Sequence, residues 1–374
     1  MVTETKTKDD IMIEQDNDVE ERPLAEENLD EGTEQKISNE SDSYDYDNDE
    51  KYALEASANA KKSSDNLSVT NLPGVGAATA EKLLLAGFDT VMSVAVATPG
   101  ELVSASGLSE TAARKMIHSA RDVMDMGFES GLDVLQKEKL KIKIPLGSSM
   151  LNELLGGGIE TGAITECFGE FGSGKTQIAH TLAVNCQKQD PSAIAVYIDS
   201  ENTFRTERIK QLAEGCGLNP EKVLGNIKVA KAYNSDHQML LAEKVEDLIK
   251  KQNLNVRVVI VDSLTAYFRA EFVGRGTLAE RQQKLNKHMH KLSRLAHQYN
   301  VCVYVTNQVM SKPDMFFGDP TAAIGGNIVG HASTFRIYLR KGKKGSRVAK
   351  LIDSPSLPEG EAPFFVETSG LRDV

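Results

Sequence analysis

Beyond residue 144 the chain alternates short apolar runs with longer stretches of helical periodicity. The runs at 164–168, 193–199, 226–230, 256–262 and 301–307 have strand length, and three of them end in Asp or Asn. They read as buried strands. Between 281 and 298, Leu285, Met289, Leu292 and Leu295 recur at helical spacing, which predicts a helix packing one face on the sheet. Residues 335–340, 347–352 and 364–367 read as further strands, expected to be antiparallel. Strand and helix in alternation predict an α/β core with a mostly parallel central sheet.

The N-terminal part differs. From Leu67 to about Val123 short helical segments are separated by glycines, at Leu72-Pro73-Gly74-Val75-Gly76 and again at Gly107-Leu108-Ser109. The pair resembles a tandem helix-hairpin-helix module, in which close backbone approach and free helix-start amides can hold a phosphate oxygen. Such a contact reads nucleic-acid backbone rather than sequence. Lys82, Arg114, Lys115 and Arg121 add a modest basic surface, which also suits a small helical interaction domain. Residues 1–66 are rich in Asp, Glu, Asn and Ser and carry too little apolar surface to offset the entropy of ordering, so a disordered acidic tail is expected. The expected organisation is therefore a tail over 1–66, a helical domain over 67–126, a linker over 127–143 and an α/β core over 144–374.

Charge changes the picture once it is divided along the chain. The formal net charge is −11, but residues 1–66 hold 21 acidic against 7 basic residues, leaving the remainder slightly basic. A nucleic-acid partner is thus compatible with the body, and the tail could act as an acidic arm competing for its basic surfaces or as a solubilising segment. No apolar run approaches the roughly 20 residues of a membrane-spanning helix, and the first residues lack the basic and apolar regions of a secretory signal. A cytoplasmic protein without a membrane partner is expected. Cys167, Cys186, Cys216 and Cys302 form no close pairs, which argues against a structural zinc site or a disulfide framework. His288, His290 and His297 share the long helix and read as packing or surface residues.

The strongest chemical signal is Gly169-Glu170-Phe171-Gly172-Ser173-Gly174-Lys175-Thr176, which fits the phosphate-loop pattern and lies between an apolar strand and a helix beginning near Gln177. Glycines let main-chain amides converge on phosphates, Lys175 supplies positive charge, and the Thr176 hydroxyl can ligate magnesium. A second carboxylate is needed to hold the metal through water, and Asp262 at the end of the 256–262 run supplies it. Hydrolysis also needs a group that orients or deprotonates water. Asp199 and Glu201 both lie beyond the 193–199 strand, and spacing does not choose between them.

These runs, with Tyr197-Ile198-Asp199-Ser200-Glu201-Asn202-Thr203-Phe204-Arg205, Gly274-Arg275-Gly276, Glu280-Arg281-Gln282-Gln283, Thr306-Asn307-Gln308-Val309, Gly325-Gly326-Asn327-Ile328 and Leu357-Pro358-Glu359-Gly360-Glu361, closely resemble the archaeal RadA family of RecA-like DNA strand-exchange recombinases. The resemblance covers about residues 67–374. Because several motifs recur in family order, it is far more specific than the phosphate loop alone.

The resemblance implies a RecA-like ATPase core that binds ATP and Mg2+ and polymerises on single-stranded DNA, pairing it with double-stranded DNA during repair. It implies that Glu201 activates water, that Arg208 stacks on adenine, and that Gln308 senses the γ-phosphate at the root of a DNA-binding loop. His331 would contact nucleotide across a subunit boundary, and the stretch 353–358, with Asp353 and Pro355, would cap ATP bound to the neighbouring subunit. The family's two DNA loops map onto about 269–277 and 310–327, with Arg269, Arg275 and Arg281 as phosphate contacts. Phe128 stands where a linker phenylalanine inserts into the next protomer of a filament or ring. Gly131 stands where alanine is usual and would bury less surface, costing the joint roughly 1 kcal/mol. The connection 187–192 is shorter than the family's, and Thr206 replaces a usual proline. A regulatory recombinase paralogue acting as a mediator and a RecA-like hexameric helicase are the alternatives; the complete second DNA loop disfavours the first, and Phe128 with the ATP-capping stretch the second. Recombination mediators are possible partners.

Overall fold

A computed structural model describes residues 67–124, 128–274, 276–311 and 321–374. The acidic segment 1–66, expected to be a disordered tail, lies outside the described residues. The chain divides into two compact units between Phe128 and Glu129.

In the first unit, helices α1 (Ala77–Leu85), α2 (Val91–Ala95), α3 (Pro99–Ser106) and α4 (Glu110–Val123) enclose a small core of Val69, Leu72, Leu83, Val91, Leu102 and Ile117. Thr90 with Ser93, and Thr98 with Glu101, form capping boxes that fix the starts of α2 and α3. Gly107 ends α3 at φ +68°, a left-handed conformation that favours glycine. Ser109 caps α4 on the amide of Ala112, whereas α1 follows Gly76 with no side-chain cap. The first hairpin therefore puts no side chain on its helix-start amides, of which that of Thr79 turns back to the Gly76 carbonyl at 2.9 Å, and the second fills one with its own hydroxyl. Arg114 is paired to Glu110 at 2.6 Å and Arg121 donates to the carbonyl of Ala95, so the basic surface is smaller than the sequence suggests.

The second unit opens with α5 (Gly131–Glu138), β1 (Lys143–Ile144), α6 (Ser149–Leu154) and β2 (Ile159–Glu160). Helix α5 lies within the stretch 127–143 expected to be a linker, where the sequence reading placed no element. Ser130 and Asp133 form a capping box, an N-terminal signal hidden among charged residues. There follow β3 (Ile164–Gly169), α7 (Lys175–Gln189), β4 (Ile194–Asp199), α8 (Thr206–Gly215), α9 (Pro220–Gly225), β5 (Ile227–Lys231), α10 (Ser235–Lys250), β6 (Val256–Asp262), α11 (Ala266–Glu271), α12 (Leu278–Tyr299) and β7 (Cys302–Asn307). The chain ends with β8 (Val309–Ser311), β9 (Thr321–Ala323), α13 (Gly326–Ala332), β10 (Phe335–Lys341), β11 (Arg347–Asp353), β12 (Gly360–Glu367) and β13 (Gly370–Asp373).

One nine-stranded sheet runs in the order β13-β12-β11-β10-β3-β7-β6-β4-β5. From β10 to β5 neighbouring strands are parallel; β11, β12 and β13 add antiparallel pairs at one edge. The tail-end strands were expected to be antiparallel, but β10 is parallel to β3 on one side and antiparallel to β11 on the other. Pairing on a strand's far side leaves no mark in its own sequence. Every residue of β3, β4 and β7 is buried, because helices cover both faces. On one face α7 places Ile178, Leu182 and Ala183 against Tyr197 and Tyr304; on the other, α12 places Leu285, Met289, Leu292 and Leu295 against Val259 and Val303. Among the described residues no helix is long and apolar enough to cross a membrane.

Two buried imidazoles tie this core to pH. His288 lies 5.9 Å from the Phe268 ring, and His180 stacks at 5.6 Å on Tyr197, with neither of its ring nitrogens hydrogen-bonded. Burial lowers both to about 4. Below pH 6.5 the unfolded chain binds protons that the folded core refuses, so stability is full above 6.5 and falls until about pH 4. Each ring costs roughly 2 kcal/mol between pH 6.5 and 5. We expect the denaturant midpoint of the core to drop over that interval, and a His288→Phe protein to lose roughly 2 kcal/mol less. An equal drop in both proteins would refute the assignment.

Candidate nucleotide-binding site

The crevice lies beyond the carboxyl ends of β3, β4, β6 and β7, where parallel α/β sheets place ligands. The loop from Gly169 to Gly174 turns β3 into α7. A Cβ at Gly169 would clash with the Leu339 carbonyl, and Gly174 sits at φ +109°, so side chains are barred where the backbone must curl. The Lys175 ammonium donates to the carbonyls of Gly169 and Glu170 at 2.7 and 2.9 Å, closing the loop on itself. Burial draws Lys175 below the ordinary ammonium value, against the pull of Asp262, Glu201 and Glu170. The buried Ser173 hydroxyl has no hydrogen-bond partner.

The Thr176 hydroxyl donates to Asp262 Oδ2 at 2.8 Å, so the residue pair expected to serve a metal is already assembled. The same oxygen accepts from Tyr197 at 2.7 Å and Thr203 at 3.0 Å, and Thr306 donates to Oδ1. Sequence reasoning gave Tyr197, Thr203 and Thr306 no role. That they meet on Asp262 follows from β4 and β7 flanking β6, which requires the strand order. A carboxylate held by four hydroxyls has a fixed position, and with Thr176 it makes an oxygen-only donor set suited to Mg2+.

The structure separates the two carboxylates that spacing left equivalent. Asp199 is buried and accepts from the amides of Glu201, Thr203 and Phe204 at 3.3, 3.0 and 3.1 Å, which consumes its oxygens in holding the turn. Glu201 is exposed on the cavity wall and accepts from Gln308 Nε2. On the far side, Arg208 donates to Gln177 at 2.7 Å and to the carbonyls of Glu367 and Thr368 at 2.7 and 2.8 Å. Lys175, Thr176, Glu201, Arg208, Asp262 and Arg347 line a cavity of 680 Å³, room for a nucleoside triphosphate. Arg347 was missed in the sequence; it reaches the loop from β11, beside Gly174.

Comparison with known proteins places this arrangement. The family model described as Rad51 matches residues 136–374. The chain belongs to that family of RecA-like recombinases. A second model, a SAM-like helix-hairpin-helix tandem, matches residues 67–122. The chain is 52% identical over 324 residues to a protein of Methanocorpusculum labreanum named DNA repair and recombination protein RadA, covering 82% of this chain and 98% of that one. It is 54% identical over 324 residues to a protein of the same name from Methanococcus voltae, covering 83% of this chain and 100% of the relative. These matches favour neither the paralogue nor the helicase.

Other residues singled out through the family likeness lie elsewhere. His331 is exposed on α13 in a separate 310 Å³ pocket with His290 and His297. Asp353, the last residue of β11, and Pro355 beyond it are exposed and do not line the nucleotide cavity. Arg269 is exposed on α11 and Arg281 half-buried on α12; Arg275 and residues 312–320 of the second loop lie outside the described residues. Phe128 is fully exposed, and Gly131 is the first residue of α5 with open space where a Cβ would stand.

Proposed function

We propose that this chain is an ATP-dependent DNA recombinase that assembles as a helical filament or ring, polymerises on single-stranded DNA and exchanges strands with a homologous duplex. The single observation that carries the reading is the hydrogen bond between Glu201 and Gln308. It joins the carboxylate best placed to orient water to a residue directly preceding β8, at the root of the second DNA loop. One contact thus belongs to both the nucleotide and the DNA side.

In this reading the loop amides and Lys175 bind the β- and γ-phosphates, while Arg208, held flat by its acceptors, packs on adenine. A magnesium ion held by Thr176 and, through water, by Asp262 would neutralise phosphate charge. Glu201 orients the attacking water and accepts its proton. Gln308 moves between Glu201 and the γ-phosphate, so that loop order follows nucleotide state. His331, Asp353 and Pro355, which the chain's own cavity leaves out, complete the site of a neighbouring subunit. Arg269, Arg275 and Arg281 contact DNA phosphates, which makes binding salt-dependent, and sequence is read by base pairing between strands.

The test is a strand-exchange assay with purified protein under ATP, a non-hydrolysable analogue and no nucleotide. Exchange in the first two conditions but not the third is expected; pairing that ignores nucleotide would sink the proposal. Phe128 supplies the joint between protomers. Phe128→Ala is expected to leave a soluble protein that forms no long polymers by sedimentation, while Gly131→Ala, which meets no steric barrier and adds a methyl that the joint can bury, worth roughly 1 kcal/mol, forms longer ones. Unchanged polymers in Phe128→Ala would mean that another segment makes the joint.

A further inference from the structure

Beneath the nucleotide site lies a buried polar cluster that the nucleotide chemistry does not use. Asn307, the last residue of β7, is fully buried. Its Nδ2 donates to Glu166 Oε1 at 2.7 Å and to the Ile324 carbonyl at 2.6 Å, and its Oδ1 accepts from the Thr265 hydroxyl at 2.6 Å. Glu166 is also fully buried, in β3, and its other oxygen takes a 2.7 Å bond from Arg336 Nε on β10. A polar group at this depth is stable only if its capacity is met, and here both amide hydrogens and the carbonyl oxygen have partners in fixed directions.

The partners stand at particular places in the chain. Ile324 follows β9, and its amide donates to the Gln308 carbonyl at 3.0 Å, so both of its backbone groups are pinned to the Asn307–Gln308 dipeptide at the stem of the second DNA loop. Thr265 is the residue before α11, the helix that carries Arg269 into the first DNA loop, and its carbonyl accepts from the Arg269 amide at 3.0 Å. One side chain therefore holds both loop roots, and the adjoining residue holds Glu201. A shift of the Gln308 backbone is passed directly to Asn307 and, through its carbonyl, to Ile324, and Asn307 is bonded to Thr265 and Ile324 together.

We propose that Asn307 is a positioning residue that locks the roots of the two DNA loops into one unit, anchored on the Glu166–Arg336 pair, so that both respond to the Glu201–Gln308 contact. This rests on the recombinase reading above, with the added premise that single-stranded DNA stimulates ATP hydrolysis. The test uses the full chain and measures ATP hydrolysis with and without single-stranded DNA, together with nucleotide affinity in the absence of DNA. Thr265→Val keeps shape and removes the hydroxyl; Thr265→Ser keeps the hydroxyl; Asn307→Asp removes both donations and sets a carboxylate against Glu166.

Thr265→Val and Asn307→Asp are expected to bind nucleotide within about threefold of wild type and to lose about tenfold of the stimulation by DNA, a loss of about 1.4 kcal/mol of coupling. Thr265→Ser is expected to restore it. Thr265→Val decides the matter where Asn307→Asp fails to fold. Wild-type stimulation in Thr265→Val, or an equal loss of nucleotide affinity without DNA, would overturn the inference. A wild-type protein unmoved by DNA would instead overturn the functional reading beneath it.

Discussion

The Lys175→Ala protein is expected to lose nucleotide binding, and any residual hydrolysis is expected to be slower by about two to three orders of magnitude, the range found in turnover when one donor to a developing oxyanion charge is removed. It is expected to form no ordered filament in consequence. The fold should survive. The ammonium is a partly buried cation whose bonds are to loop carbonyls, so its removal relieves a desolvation cost as it removes those bonds. Thermal melting near the wild-type value, with loss of binding by calorimetry, separates a missing phosphate contact from a missing structure. Lys175→Arg keeps the charge but not the compact head, and is expected to retain part of the affinity and little of the turnover. Normal strand exchange by Lys175→Ala would refute the role of nucleotide as the switch for assembly.

How far the molecule could be read in advance depended on whether a signal was local. The phosphate loop, the strand ending in Asp262 and the apolar stripe of α12 are written in consecutive residues or at one period, and the structure places them as expected. Helix α5 was missed because its start rests on a Ser130–Asp133 box, with an aspartate where glutamate or glutamine is the usual sign. Strand β13 was missed because four residues after a turn carry no period. What could not be seen at all was lateral. The hydroxyls of Tyr197, Thr203 and Thr306 meet on Asp262, and Asn307 meets Thr265 and Glu166, only because the strand order interleaves distant segments. Polar residues inside otherwise apolar strands, such as Glu166 in β3 or Thr306 and Asn307 in β7, were the one available hint, since a buried polar group demands a partner.

The surroundings of Asp199 and Glu201 differ, one held in its own turn and the other meeting Gln308 from a distant segment, and a pair of isosteric variants tests the role proposed for each. Glu201→Gln removes the proton acceptor but keeps an oxygen that can accept from Gln308, so DNA-loop contacts and ATP binding should persist. Turnover is expected to fall by about 10² to 10³, within the range of general-base removal. If hydrolysis drives disassembly, filaments of this variant should also persist longer on DNA once free nucleotide is removed. Asp199→Asn has the opposite signature. One oxygen that accepts from the amides of Glu201, Thr203 or Phe204 becomes an NH2 group facing a donor, which costs about 1 to 3 kcal/mol of stability. Its melting temperature falls, and the turnover of the folded fraction changes far less than in Glu201→Gln. The two residues are separated by their opposite responses in single-turnover hydrolysis and melting. A Glu201→Gln protein with wild-type turnover, beside an Asp199→Asn protein that is stable but inert, would reverse the assignment and move the attacking water to the other carboxylate.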